Sequence, residues 1–173
     1  MQGETPVEQP LRCICLDDSA LFRKVQKRLI KNFLRADMDG SAVLGETAAD
    51  IDVFVEIALG RVDPVTRAPV THRPLAHADL VVIDQDLDYD TLSYKGTDIA
   101  RRLNDEQFRG VCCLLTGANL SGDQGQLDEG KDIGTVRLDK CPGVDIAFEK
   151  GSLLKDIAVS LRKFIADNKS SSG

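Results

Sequence analysis

Polar residues that could act on a phosphoryl group stand where four short, mainly apolar runs of the sequence end. Each run is followed directly by one or two such residues, which are Asp17 with Asp18, Asp84, Thr116 and Lys150. If the runs are parallel strands, their carboxyl ends meet at one edge of a sheet, where open α/β sheets bind ligands. Three carboxylates, one hydroxyl and one ammonium at that edge predict a metal-dependent phosphoryl site.

Asp84 is the predicted nucleophile of this site. A carboxylate can attack phosphorus and form an acyl phosphate, but the incoming group is also anionic. A divalent cation removes that repulsion, and Mg²⁺ prefers a few carboxylates together with waters and substrate oxygens. Asp17, Asp18 and Asp84 would supply the carboxylates, and the main chain of Asp86 one more oxygen. The predicted ion is Mg²⁺, with Mn²⁺ as the alternative.

The two remaining residues would contact the phosphoryl group itself. Lys150 would pair with its oxygens as a mobile point charge, and Thr116 would donate its hydroxyl to another oxygen. Taken singly, each of the five residues has an ordinary structural explanation, such as a helix cap or a turn. The prediction therefore depends on all five residues following predicted strands in this order.

Strands that alternate with helices are predicted to position these residues. The predicted strands are the apolar runs 11–16, 42–45, 79–84, 111–116 and 144–149. Apolar residues recur at helical spacing after the first, second and last runs, and a further helix begins at Gly96. Polar loops are predicted at 86–95 and 117–134, and the helix that would follow the fourth strand is barely recognisable. This alternation is typical of an α/β fold, in which helices cover both faces of a parallel sheet.

The length of 173 residues favours one domain with a substantial core. We predict a flexible N-terminal tail at 1–10, the domain at 11–168, and a flexible C-terminal tail or linker start at 169–173. Within the domain, residues 61–77 contain three prolines and no apolar period, which predicts a long surface loop inserted between a helix and a strand.

Composition and charge argue against several classes of partner. The chain has a net charge of -6 and no basic stripe, so we predict no nucleic-acid partner. No apolar stretch approaches the ~20 residues needed to cross a bilayer, so we predict no membrane partner. The five cysteines show no paired metal-ligand spacing and lie mostly in apolar runs, which is typical of reduced core thiols in a cytoplasmic protein.

The order of these residues resembles the receiver domain of two-component response regulators, over residues 11–166. The resemblance implies a flavodoxin-like fold, doubly wound, with a five-stranded parallel sheet of order 2-1-3-4-5. It also implies that Asp18 is the direct Mg²⁺ ligand, that Asp17 helps through water, and that the carbonyl of Asp86 completes the protein ligands. Thr116 and Lys150 would contact the phosphoryl group.

A phosphoacceptor function follows from the same resemblance. Asp84 would accept a phosphoryl group from a histidine kinase or a histidine phosphotransfer protein. The chain would then change its binding to a downstream protein that the sequence does not identify. Such a domain takes the phosphoryl group from small phosphodonors as well, and it loses the group by slow autodephosphorylation rather than by turnover of a substrate.

Several positions depart from the family pattern. Gly151 stands where the family has proline after the lysine, and Leu87-Asp88 stands where it has Met-Pro. Ala147 occupies the position of the aromatic switch residue, and Phe148 would face the other side of the strand. These departures predict that the signal leaves by another route, through the loops 88–95 and 117–134.

Two other functions remain open from the sequence. The triplet Asp84-Gln85-Asp86 resembles the Asp-x-Asp of haloacid-dehalogenase-like phosphatases, in which the second Asp is a general acid. In those enzymes, however, the nucleophile comes first and the acidic pair last, which is the reverse of the order here. The altered switch positions are compatible with a third function, a receiver-like interaction module that is not phosphorylated.

Overall fold

The computed structural model describes residues 9–117 and 141–171 of the chain. The strands are β1 (Cys13–Leu16), β2 (Ala42–Leu44), β3 (Leu80–Asp84), β4 (Asp86–Tyr89), β5 (Leu92–Lys95), β6 (Val111–Thr116) and β7 (Ile146–Glu149). The helices are α1 (Ala20–Arg28), which a π-helical turn (Leu29–Phe33) continues, α2 (Asp50–Ala58), α3 (Gly96–Asp105) and α4 (Leu154–Ser171).

Five strands form one parallel sheet of order β2-β1-β3-β6-β7. Numbered among themselves along the chain, these strands have the order 2-1-3-4-5, so the predicted doubly wound sheet is confirmed. The order of strands reverses direction between β1 and β3, and the connections from these two strands therefore leave the sheet edge on opposite sides. That arrangement opens a crevice at the carboxyl ends of the central strands.

Side chains alternate between the two faces of the sheet, and each face is buried under helices. Ile14, Val81 and Ala147 belong to the core cluster that includes residues of α2 and α3. Cys15 and Phe148 belong to the cluster on the opposite face, which includes residues of the π-helical turn and α4. The prediction that Phe148 faces away from the side of Ala147 is thus confirmed. Burial on both faces explains why the central strands are nearly continuous apolar runs.

The prediction of a polar loop at 86–95 is wrong, because these residues form a β-hairpin. β4 and β5 pair in antiparallel register, with Leu87 opposite Tyr94, and Asp90 has a positive φ of 38° in the two-residue turn. Leu87 is fully buried while its neighbours on the strand are exposed. The alternation that indicates a strand was present in the sequence, but the acidic residues between the apolar ones made the segment look like a loop.

The structure describes the inserted loop and most of the C-terminal segment, but only the end of the N-terminal segment. Residues 61–77 contain no helix or strand beyond an isolated bridge between Val62 and Pro69. α4 continues through Ser171, so residues 169–171 are helical where a tail was predicted. Residues 1–8 of the predicted N-terminal tail and residues 118–134 of the predicted polar loop lie outside the described residues.

No helix in the described part of the chain combines the length and the apolar character needed to cross a membrane.

Gly45 allows the loop after β2 to pass close to the end of β1. It has a φ of +122°, and a Cβ at this position would collide with the main-chain carbonyl of Asp17. The amide of Asp17 donates to the carbonyl of Leu44 at 3.0 Å, which fixes the two strand ends together. A side chain at position 45 would therefore strain the backbone next to the candidate site.

We predict that Gly45→Ala lowers the free energy of unfolding by more than about 1 kcal/mol, because both the φ angle and the collision oppose alanine. Urea denaturation monitored by circular dichroism measures the change. Gly151→Ala is the matched control, since none of the residues 9–117 and 141–171 would lie within 4 Å of a Cβ at that glycine. Equal stability of the two variants would contradict this account of Gly45.

Candidate functional site

Strand register brings the predicted residues to one edge of the sheet. Leu16 pairs with Ile83, so Asp17 and Asp84 are the next residues on adjacent strands. Thr116 is the last residue of β6 and pairs with Glu149, which precedes Lys150. The amide of Lys150 donates to the carbonyl of Thr116 at 2.8 Å. The carboxyl ends of four neighbouring strands therefore supply all the predicted side chains.

Lys150 links two of the three carboxylates. Its Nζ lies 2.9 Å from Oδ2 of Asp17 and 3.1 Å from Oδ1 of Asp84. The side chains of Asp17 and Asp84 are 0% and 3% exposed, and that of Lys150 is 10% exposed. Buried ion pairs of this kind are shielded little by solvent, so the positions of the three groups strongly affect one another.

The three carboxylates form a compact oxygen cluster. One oxygen each of Asp17, Asp18 and Asp84 lies within 4.8 Å of the others. Oδ1 of Asp17 accepts a hydrogen bond from the amide of Ser19 at 2.9 Å. Hard oxygen donors at this spacing match the coordination chemistry of Mg²⁺ and Mn²⁺, so the residues present fit the predicted ion.

Mutual repulsion and burial shift the acidity of the cluster. Burial, followed by the charge of Asp17, raises the pKa of Asp84 from 3.8 to about 7, although Lys150 opposes the shift. Burial also raises the pKa of Asp17. For Lys150, burial lowers the pKa but the contacts with Asp17 and Asp84 raise it more, and the net shift is upward. The site therefore holds excess negative charge, which a cation would neutralise.

Arg23 on α1 fixes the main chain of the acidic pair. Its Nη1 donates to the carbonyls of Asp17 at 3.1 Å, Asp18 at 2.8 Å and Gly45 at 3.4 Å. These bonds satisfy carbonyls at the end of β1 and join them to the loop after β2. Sequence reasoning missed this residue, and an arginine near the start of the helix after an acidic pair was the available signal.

The β4–β5 hairpin lies against the same acidic pair. The amide of Asp88 donates to Oδ2 of Asp18 at 3.0 Å, and the hydroxyl of Tyr89 donates to the carbonyl of Gly45 at 2.8 Å. In an antiparallel ladder, residues two apart direct their main-chain groups the same way. The carbonyl of Asp86 therefore points out of the ladder on the edge that meets Asp18, while its side chain is exposed and pairs with Lys95.

Thr116 places a buried hydroxyl at the edge of the site. Its side chain is buried at 2% exposure, and Oγ1 has no hydrogen-bond partner among residues 9–117 and 141–171. A buried hydroxyl without a partner carries a free-energy cost, so the hydroxyl of Thr116 is suited to donate to a group bound at this edge.

A further residue of α1 contacts the lysine. The Nζ of Lys150 lies 4.0 Å from the centroid of the Phe22 ring, which is a cation–π contact. Phe22 is one of the apolar residues that recur at helical spacing after the first predicted strand. The sequence does not indicate its position beside Lys150, because that position depends on how α1 meets the loop after β7.

Comparison with known proteins relates the chain to one fold. No protein-family model matches the sequence, and no curated protein matches it either. Among solved structures, the signal receiver domain of an HD domain-containing protein from Pseudomonas fluorescens Pf-5 is 10% identical, with a TM-score of 0.62, and the match covers 98% of this chain and 97% of that one. A CheY-like response regulator receiver domain from Methanospirillum hungatei JF-1 is 13% identical, with a TM-score of 0.61 and coverage of 94% and 99%.

The response regulatory domain of protein MrkE from Klebsiella pneumoniae is also similar, at 12% identity and a TM-score of 0.57, with coverage of 92% and 99%. These identities are low, so the similarity establishes the fold. The chain therefore has the fold of response regulator receiver domains, and its candidate site lies at the carboxyl edge of the sheet.

The raised pKa of Asp84 predicts a pH-dependent loss of stability in the metal-free protein. The pKa of Asp84 is about 7 in the folded protein and about 3.8 in the unfolded chain. The folded protein therefore binds the proton more tightly, and protonation of Asp84 stabilises the fold. That contribution is lost as the pH rises from about 4 through about 7.

The variant Asp84→Asn lacks this titration. Between about pH 5 and about pH 8, the free energy of unfolding should therefore fall less in Asp84→Asn than in the parent. The difference should exceed about 1 kcal/mol, which is roughly the value of one pKa unit. Urea denaturation in the presence of a chelator measures both proteins. Asp88→Asn, an exposed carboxylate on β4, is the control and should behave like the parent. If the free energy of unfolding depended on pH in the same way in the parent and in Asp84→Asn, the raised pKa of Asp84 would be contradicted.

Proposed function

We propose that this chain is a phosphoacceptor receiver, which takes a phosphoryl group onto Asp84 and changes its binding to a partner. The observation that carries the proposal is the buried contact of Lys150 with both Asp17 and Asp84, at 2.9 Å and 3.1 Å. A nucleophilic carboxylate, a fixed ammonium and a cluster of cation ligands are the parts that such a transfer requires.

The cation would be held by Asp17, Asp18 and Asp84, together with the carbonyl of Asp86. Mg²⁺ fits these oxygen donors, and Mn²⁺ is the alternative. When bound, the ion would screen the negative charge of the carboxylates against that of the incoming phosphoryl group. The raised pKa of Asp84 in the metal-free protein supports the need for that charge.

The side chains of the chain itself would then carry the transfer. A carboxylate oxygen of Asp84 forms the new P–O bond, while the P–N bond to the imidazole of a phosphohistidine donor breaks. Lys150 would hold a phosphoryl oxygen, which its contact with Asp84 supports. Thr116, whose hydroxyl has no partner among the described residues, would donate to another phosphoryl oxygen. Both contacts stabilise charge on the oxygens in the transition state rather than perform covalent chemistry.

The proposed phosphodonor is a histidine kinase or a histidine phosphotransfer protein, and the proposed location is the cytoplasm. The β4–β5 hairpin is the proposed route of the signal to a downstream protein, because its Asp88 amide bonds directly to Asp18. A change in the charge or position of the Asp18 carboxylate would alter that bond. The sequence predicted a route through residues 88–95 and 117–134. The contact of Asp88 with Asp18 supports the first of these segments. Of the second segment, the structure describes only Gly117.

One observation favours a second candidate, a receiver-like interaction module that is not phosphorylated. The side chain of Asp84 is only 3% exposed, which favours a carboxylate that a donor reaches only after movement of the surrounding chain. If that movement does not occur, the surface of the domain remains available for binding while the carboxylate stays unmodified. The two candidates differ in whether Asp84 becomes labelled.

Incubation with acetyl phosphate and Mg²⁺, followed by intact mass measurement, tests the proposal. The parent chain should gain one phosphoryl group, and the gain should require the cation. Asp84→Asn should gain none, because the nucleophile is lost. Asp88→Asn should be labelled like the parent, since its side chain is exposed and its amide contact with Asp18 is retained.

Each other result decides between the alternatives. Absence of labelling in the folded parent chain would contradict the receiver proposal and favour the interaction module. Labelling that persists in Asp84→Asn would contradict the assignment of the nucleophile. Continuous turnover of a small phosphate ester, in place of a single labelling event that slowly reverses, would favour the phosphatase.

A further inference from the structure

We propose that Phe22 is a positioning residue, whose ring holds the Lys150 ammonium beside Asp84. The consequence for phosphoryl transfer rests on the proposed function, whereas the contact itself does not. The ring centroid lies 4.0 Å from Nζ. None of the residues predicted from the sequence to form the site has this role.

The ring of Phe22 gives the Lys150 ammonium an attractive contact in addition to its two contacts with carboxylates. Lys150 has three N–H donors, and its Nζ lies within hydrogen-bond distance of one oxygen each of Asp17 and Asp84. The aromatic face provides a further attractive contact for the positive charge. Such an attraction is stronger where water is excluded, and the Lys150 side chain is 10% exposed.

The ring is itself fixed to the strand end that carries the acidic pair. The amide of Phe22 donates to Oγ of Ser19 at 3.4 Å, and the amide of Ser19 donates to Oδ1 of Asp17 at 2.9 Å. The next residue, Arg23, binds the carbonyls of Asp17 and Asp18. Phe22 therefore has a defined position relative to the carboxylates, set by the first turn of α1.

Hydrogen bonds of the main chain fix the backbone at Lys150 but not its ammonium. The amide of Lys150 donates to the carbonyl of Thr116 at 2.8 Å, and the amide of Ser152 donates to the carbonyl of Glu149 at 3.0 Å. No residue in the described part of the chain lies within 4 Å of the position that a Cβ on Gly151 would take, so the next residue does not pack against the lysine. A lysine side chain has several freely rotating bonds, so its ammonium needs contacts from elsewhere to stay in one place. The aromatic ring of Phe22 provides such a contact without carrying a charge.

A neutral ring is suited to a site that also binds a cation. The oxygens of Asp17 and Asp84 would be shared between Lys150 and the divalent ion, which prefers oxygen ligands. The ring of Phe22 attracts the ammonium but offers no oxygen for the ion. It would therefore keep Lys150 near Asp84 when the carboxylates turn towards the metal.

The first readout tests the contact in the metal-free protein, without any phosphodonor. The ε-methylene protons of Lys150, assigned by their loss in Lys150→Arg, should show an upfield ring-current shift in the parent. Phe22→Leu should abolish the shift, because it keeps an apolar side chain but removes the ring. Phe22→Tyr and Phe22→Trp should retain it. Absence of the shift in the parent would overturn the proposal.

The second readout is the rate of labelling by acetyl phosphate with Mg²⁺. Phe22→Leu should lower the rate at saturating phosphodonor by about tenfold, with a smaller change in the half-saturating concentration, because a misplaced ammonium weakens transition-state contacts. Phe22→Tyr and Phe22→Trp should restore most of the rate. Leu21→Ala, at an adjacent side chain that is 67% exposed, is the control and should change neither readout.

Circular dichroism of each variant establishes that it is folded before either readout is compared. Parent-like labelling in folded Phe22→Leu, or equal losses in the leucine and tyrosine variants, would overturn the positioning role. If the parent itself is not labelled, the proposed function fails, and the role of the ring in phosphoryl transfer fails with it. The ring-current shift would still decide whether Phe22 holds Lys150, so the two failures are distinguishable.

Discussion

The buried contact of one ammonium with two carboxylates is the constraint on which the site depends. Asp17 and Asp84 lie on adjacent strands with almost no exposure, and Lys150 lies between them. Charges removed from water in this way cost free energy unless their partners are well placed. Asp18 adds a third carboxylate, so the cluster has more acidic groups than basic ones. Burial, followed by the charge of Asp17, raises the pKa of Asp84.

Much of the surrounding structure serves to hold these groups at one edge. The parallel register sets Asp17 beside Asp84, and the bond between the main chains of Lys150 and Thr116 joins the last two strand ends. The guanidinium of Arg23 binds the carbonyls behind the acidic pair. The burial of apolar side chains on both faces of the sheet gives these strand ends a rigid support, which a site made of loops alone would lack.

The sheet and the site-edge residues could be predicted from the sequence because each depends on a local pattern. Continuous apolar runs indicated the buried strands, and the polar residue after each run indicated the edge at which it would lie. The order of the strands followed from the resemblance to receiver domains and is confirmed. Whether Asp86 offers its carbonyl to a metal stays a prediction, although the hairpin directs that carbonyl towards the edge of Asp18.

The features that could not be predicted depend on contacts between distant parts of the chain. Phe22 and Arg23 look like ordinary helix residues, and only the packing of α1 against the sheet edge brings them to Lys150 and the acidic pair. The hairpin was not predicted, because acidic residues between its apolar ones made the segment look like a polar loop. Its hydrogen bonds to Asp18 and Gly45 join residues far apart in the sequence. The length of α4 was underestimated, because polar and small residues at its end resemble a tail.

The central claim is that these strand ends form one cation-dependent centre that bonds a phosphoryl group at Asp84. ¹⁹F nuclear magnetic resonance with beryllium fluoride, a phosphoryl mimic, tests it most directly. Resonances of bound fluoride should appear only when Mg²⁺ is present, and they should be lost in Asp84→Asn and retained in Asp88→Asn. No bound resonance in the folded parent chain, or the same resonances in Asp84→Asn, would contradict the claim.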